Sequence, residues 1–169
     1  METLGVGIAP SPSSENARAA ERLAWEQRLN GSAKWFYWIA AFSVVNAGLT
    51  VSGANLRFII GMGVTDVVAA IGQRAGGAGV MAALVVTAFV AGLCGLFGYL
   101  GLRKHVWVFW VGMLLYALDG AILLLLQDFL SAAFHGWVLF NLFQGVKALK
   151  HLKALDAMSP VPVTAKPIA

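Results

Sequence analysis

Long apolar runs separated by short polar breaks set the pattern of this chain. Residues 33–53, 80–102, 106–126 and 129–146 are each long enough, at ~1.5 Å rise per residue, to cross a hydrocarbon layer of about 30 Å. Between the second and third runs stands Arg103-Lys104-His105, and between the third and fourth only Gln127-Asp128. Breaks that short force antiparallel helical neighbours. The pattern predicts an all-α protein, a four-helix transmembrane bundle running up-down-up-down.

The remaining segments fill in around those runs. Residues 1–12, with Gly5, Gly7, Pro10 and Pro12, read as a disordered tail. Ser13 and Ser14 can cap a helix over 13–30, with Glu15, Arg18, Arg22 and Glu26 on one charged stripe and Asn30-Gly31-Ser32 ending it. This helix is expected to lie at the membrane interface, with the four-span domain over 31–155 after it. Residues 55–74 are too short and too Gly-interrupted for a fifth span, and carry Asp66 in the middle. Ile60, Val64, Val67 and Ile71 form an apolar helical stripe there, so an outer amphipathic or re-entrant helix is expected. The last span runs on into KALKHLKAL, a basic amphipathic extension, and 156–169 reads as a second disordered tail.

Composition supports the membrane assignment. Of the 169 residues, 59% are hydrophobic and only 12% charged, too few charges to cover a water-facing surface. The net charge of +4 therefore speaks of orientation and not of nucleic acid. With both termini in the cytoplasm, ten of the 12 Lys and Arg residues fall inside and two, Arg57 and Arg74, outside. A bacterial inner membrane is the expected location, and Arg103, Lys104, Lys147, Lys150 and Lys153 are expected to meet anionic lipid headgroups. A homo-oligomer or a larger membrane complex is a further expected association. Trp35, Tyr37 and Trp38 form an aromatic belt at the start of the first span. Ala88, Gly92 and Gly95 make a small-residue strip, expected to let a neighbouring helix approach within the bundle, with a dimer seam as the alternative.

Candidate chemistry is confined to polar residues inside the spans. Asn46, Thr87, Asp119 and His135 each stand about six or seven residues from the same end of their spans, so all four fall in one layer ~10 Å below the outer surface. Tyr116 lies one turn deeper on the Asp119 face, and Ser131 one turn shallower on the His135 face. Asp119 and His135 are on adjacent helices, and pairing them is the least costly way to bury either. Three meanings are open: a polar knot that fixes helix packing, a transporter-like or sensor site open to the outer face, and a lipid-directed enzyme with His135 as base. The first is favoured and the third least so. No G-x-S-x-G, H-E-x-x-H, C-x-x-C or Walker loop is present, and GMG at 61–63 carries no weight alone. Two candidate ligands are too few for a metal site, and no cofactor is called for. The expected function is a non-enzymatic accessory, scaffold or assembly subunit of a membrane.

Overall fold

The computed structural model describes residues 12–52 and 63–158. Among them there are five helices and no strand: α1 (Pro12–Val51), α2 (Gly63–Arg74), α3 (Gly77–Leu102), α4 (Val106–Leu125) and α5 (Phe129–Met158). The expected tail over 1–12 lies outside the described residues except for Pro12, which opens α1. Proline suits a first helical position, where its missing N–H has no intrahelical partner to lose. The tail expected over 156–169 is likewise described only to Met158, where α5 ends.

Three helices, α3, α4 and α5, are long and apolar enough to cross a membrane. α1 is not among them. Its first half is charged, and its second half dilutes the apolar run with Lys34, Ser43 and Asn46.

The break expected at Asn30-Gly31-Ser32 is absent. α1 passes through it as one helix of 40 residues. Tertiary packing overrides the local turn signal there. Leu29 and Ala33 are buried on either side, and the Ser32 hydroxyl donates to the Asn141 carbonyl of α5 at 2.8 Å. Gly31 faces open space, so its low helix propensity is offset by its neighbours.

The first half of α1 therefore does not stand alone as an interfacial helix. It pairs with the far end of α5. Leu29, Ala148, Leu149 and Leu152 are buried together in the main core. Trp25 stacks on His151 with ring centroids 4.1 Å apart, and Arg22 pairs with Asp156 at 2.8 Å. That hydrogen bond and the Asp156 charge raise the Arg22 guanidinium above its ordinary pKa. The apolar face of KALKHLKAL is thus turned toward α1. The two helices form a stalk beyond the apolar spans, and Lys104 ties the α3–α4 turn to it through Glu26 at 3.2 Å.

In the body of the molecule α1 packs against both α3 and α5, and α4 packs against α5. Phe36, Phe97, Phe109, Val138 and Leu142 form the centre. The Ala88-Gly92-Gly95 strip does not serve this packing. Ala88 and Gly92 are exposed, and a Cβ at Gly92 or Gly95 would meet nothing within 4 Å. The face of α3 that receives α1 is instead Phe97, Gly98 and Gly101, with Gly98 against the Tyr37 ring.

Both tight turns end their helices in the same way. Lys104 and Gln127 adopt φ of 65° and 60°, left-handed values that glycine usually takes. Each is the turning residue of a Schellman motif: His105 N–H reaches the Leu100 carbonyl at 3.2 Å, and Asp128 N–H the Leu123 carbonyl at 3.0 Å. Asp128 then caps α5, accepting from the Ser131 N–H at 3.2 Å and the Ser131 hydroxyl at 2.7 Å.

Candidate functional site: an intramembrane carboxylate–imidazole pair

Asp119 and His135 meet as expected, and both side chains are buried, at 2% and 1% relative exposure. The Gln127-Asp128 turn sets α4 and α5 antiparallel and brings Asp119 Oδ2 to 2.9 Å from His135 Nε2. His135 Nδ1 lies 2.8 Å from the carbonyl oxygen of Ser131, one turn back on α5. A carbonyl oxygen only accepts, so Nδ1 carries a hydrogen and donates it. One further proton then lies on the line between Nε2 and Oδ2. The pair is either an imidazolium beside a carboxylate or an imidazole beside a carboxylic acid, with the same total of protons. Tyr116 stacks on the imidazole at 4.1 Å between centroids and 14° between planes, closing its other face.

The remaining partners of Asp119 come from α2. Gly63 N–H donates to Oδ2 at 2.7 Å and Val64 N–H to Oδ1 at 2.8 Å. The first N–H groups of a helix have no intrahelical acceptor and carry the positive end of its dipole. Asp119 is thus the N-cap of α2, supplied from another helix. Gly63 is needed at this approach, since a Cβ there would lie 2.7 Å from Leu123 Cδ2 of α4.

These two amides are the site groups that sequence reasoning missed. The signal lay in the GMG stretch at 61–63, which offers a helix start no capping side chain of its own.

α2 runs back along α3 in antiparallel fashion, with Gly72 against Gly79. Its buried face is Thr65, Ala69 and Gly72. The apolar stripe lies on the other side: Val64 and Val67 are half-buried and Ile71 is exposed, while Ile60 lies outside the described residues. In a hydrocarbon surrounding, large apolar side chains can face outward, and the small face is the one that lets two backbones approach.

The rest of the expected layer divides in two. Asn46 and Thr87 are buried, as is Tyr116, while Ser131 is half-buried with its hydroxyl taken by Asp128. Asp119, His135, Tyr116 and Ser131 form one connected unit. The Thr87 and Tyr116 hydroxyls are buried without a hydrogen-bond partner among the described residues. Beside Tyr116 and Asp119 lies a cavity of about 270 Å³ between α1, α3 and α4, with apolar walls that include Phe36, Leu93 and Phe97. Among the described residues no group of three or more His, Cys, Asp and Glu could hold a metal ion.

The basic residues expected at headgroup level gather around the base of the stalk. Arg103 lies over the Tyr99 ring at 4.9 Å and Lys147 over Phe143 at 5.2 Å, while Lys104 is engaged with Glu26. Lys150 and Lys153 are exposed on α5.

The site closes as a capped half-helix and a carboxylate–imidazole pair held by the protein's own groups. No protein-family model matches this chain, and neither a curated protein nor a solved structure is significantly similar to it.

Proposed function

We propose that this chain is a non-enzymatic integral protein of the cell (inner) membrane, acting as an accessory, scaffold or assembly subunit. In this reading α1, α3, α4 and α5 cross the bilayer up-down-up-down, both termini are cytoplasmic, and α2 is a re-entrant half-helix entering from the outer side. The stalk then stands in the cytoplasm as the surface for a partner. Arg103, Lys104, Lys147, Lys150 and Lys153 meet anionic headgroups at its base.

The observation that carries the reading is how fully the Asp119–His135 pair is engaged. Both carboxylate oxygens and both ring nitrogens are bonded to groups of the same chain. Intramembrane ionisable residues usually mark a path or a substrate site. Here they join α2 to α4 and α4 to α5 through groups of the chain itself. A transporter or sensor would need a wet opening onto the pair, whereas the neighbouring cavity has apolar walls. The orientation rests on the charge bias of the loops.

Two measurements test the proposal. Reporter fusions at residues 1 and 169 should both report a cytoplasmic location, and a reporter at 127 the opposite side. Asp119→Asn and His135→Gln should lose folded protein in detergent. Either variant keeping wild-type thermal stability while losing a cellular activity would refute the structural role.

A further inference from the structure

The stalk carries a pocket of its own at its far end. Arg18, Ala19, Arg22, Leu155 and Met158 line a cavity of about 200 Å³ there. Lower down, Leu29, Ala148, Leu149 and Leu152 fill the seam between α1 and α5. At the tip α1 brings only the methyl group of Ala19 to the pocket beside its two arginines, and the seam opens. Leu155 is left half-buried and Met158 is 61% exposed. In a segment that stands in water, a partner that covers this apolar surface is favoured.

The rim of the pocket is cationic. Arg22 is held in place by Asp156, 2.8 Å from Nη1, and by Glu26, 3.5 Å from Nε, and its Nη2 is engaged by neither. Arg18, one turn earlier on α1, is exposed and has no ion-pair partner among the described residues. Among the described residues no acidic side chain lines the cavity. An apolar floor thus lies beside two guanidinium groups, which are donors shaped to take a carboxylate.

Position and charge select among occupants. Lys104 meets Glu26, which sets the level of the α3–α4 turn on α1. Arg18 lies two helical turns further out, ~12 Å, beyond the Debye length of about 8 Å over which headgroup charge acts. Nucleic acid favours an unbroken cationic face, whereas Glu15, Glu21 and Glu26 interleave with the arginines of α1. A second copy in the same membrane holds its stalk parallel, so a twofold pairing sets arginines against arginines. A cavity of about 150 Å³ holds benzene, so about 200 Å³ admits one large apolar side chain. The occupant that answers both floor and rim is a peptide with an apolar residue among carboxylates.

We propose that the tip of the stalk is a docking site for an acidic peptide segment of a cytoplasmic partner protein. One apolar side chain of the segment enters between Ala19, Leu155 and Met158, and flanking Asp or Glu carboxylates accept from Arg18 and Arg22. The inference rests on the proposed cytoplasmic stalk and its role as a partner surface. Reporter fusions test the location alone, so a failed titration beside cytoplasmic reporters overturns the docking site and leaves the topology standing.

The test uses the full chain in phosphatidylcholine nanodiscs, with ¹³C in the methionine methyl groups. Met158 lines the pocket and reports on it, while Met81 and Met113 of the body serve as internal references. The probe is acetyl-Glu-Asp-Phe-Asp-Glu-amide, whose ring should shift the Met158 methyl resonance saturably and leave Met81 and Met113 unmoved. The same peptide with lysine at all four acidic positions should give no saturable shift. Arg18→Gln, which removes an exposed side chain, should keep the fold and weaken binding about fivefold, the scale of an exposed ion pair. Ala19→Leu fills the pocket and extends the apolar seam, so it should fold at least as well as the wild type and abolish the shift. The proposal is overturned if Met158 does not respond, if the lysine peptide matches the acidic one, or if Arg18→Gln binds as the wild type does. It is equally overturned if the response appears only after residues 1–10 or 160–169 are deleted, which assigns the pocket to the chain's own ends. A Met158 shift that follows protein concentration and not peptide assigns it to a second copy.

Discussion

The stalk and the body of the molecule share two helices, α1 and α5, whose outward faces differ between the two. In the first half of α1, Leu29 and Ala33 are buried and Arg18, Arg22 and Glu26 are turned toward solvent or half-exposed. In its second half Ser43 and Asn46 are buried while Trp38, Val44 and Val45 face outward. α5 inverts in the reverse order along the chain. His135 is buried with Phe129, Leu130 and Phe140 outside, and then Leu149 and Leu152 are buried with Lys147, Lys150 and Lys153 outside. The outward face of each helix thus changes from polar to apolar near the Arg103-Lys104 turn, while apolar side chains such as Phe36, Ile39, Val138 and Leu142 stay buried throughout. A water-facing surface needs polar groups outside and an apolar seam. A lipid-facing surface accepts apolar groups outside and reserves the interior for polar contacts that have no other partner. That change of the outward face supports the proposed membrane boundary at the base of the stalk.

The body and the stalk also differ in what holds them. The stalk closes on side-chain burial with exposed ion pairs around it. The body closes on a buried hydrogen-bonded cluster, in which removing one member leaves the others unsatisfied. Asp119→Asn should therefore have the largest effect of any single substitution here, a loss of about 3–5 kcal/mol, since it breaks a buried pair and weakens the cap on α2. Unfolding in detergent followed by helical circular dichroism would show it, and an unchanged midpoint would contradict the cluster.

Next in size is a charge placed on the outward face. Val44→Lys should cost about 3 kcal/mol of membrane insertion. Ala20→Lys, on the outward face of the same helix in the stalk, should change stability by less than about 0.5 kcal/mol. A glycosylation-reporter insertion assay reads the first and thermal unfolding the second. Equal effects would remove the boundary.

Leu149→Ala should cost about 2–3 kcal/mol, as buried leucines do when the site collapses in part. Hydrogen exchange should locate that loss in the stalk, leaving the amides of α4 protected. Smaller again, and of opposite sign, Gln127→Gly should stabilise the α4–α5 turn by about 0.5–1 kcal/mol, by relieving a left-handed non-glycine residue. Arg22→Ala should be nearly silent, because the Arg22–Asp156 pair is exposed. Chemical unfolding midpoints suffice for both.

Much of this organisation could be read from residue patterns, and the failures share a cause. The apolar runs give α3, α4 and the start of α5 almost to the residue, because length and hydropathy are local properties. The Asp119–His135 contact follows from a break of two residues between two runs, which fixes both direction and register. The break expected at Asn30-Gly31-Ser32 fails because Ser32 finds its partner on α5, 109 residues away in sequence. The buried face of α2, Thr65, Ala69 and Gly72, is not announced by its apolar stripe, because in lipid large apolar residues can mark the outer face. The Ala88-Gly92-Gly95 strip is not used within the bundle, because small residues permit close approach without specifying it. Gly98 and Gly101, about one and two turns beyond Gly95, are the ones that α1 uses. Capping of α2 by Asp119 was hidden for a different reason: its donors are backbone amides, which no side-chain motif announces.

The most direct test of the Asp119 cluster is amide hydrogen exchange at Gly63 and Val64, read by NMR on the full chain in nanodiscs. The first amides of a helix have no intrahelical acceptor and ordinarily exchange fast. Capped by Asp119 inside the membrane, they should be as slow as amides in the middle of α4, and should become fast in Asp119→Ala while α3 stays protected. Fast exchange in the wild type, or protection that survives Asp119→Ala, would contradict the cap and the role assigned to the pair.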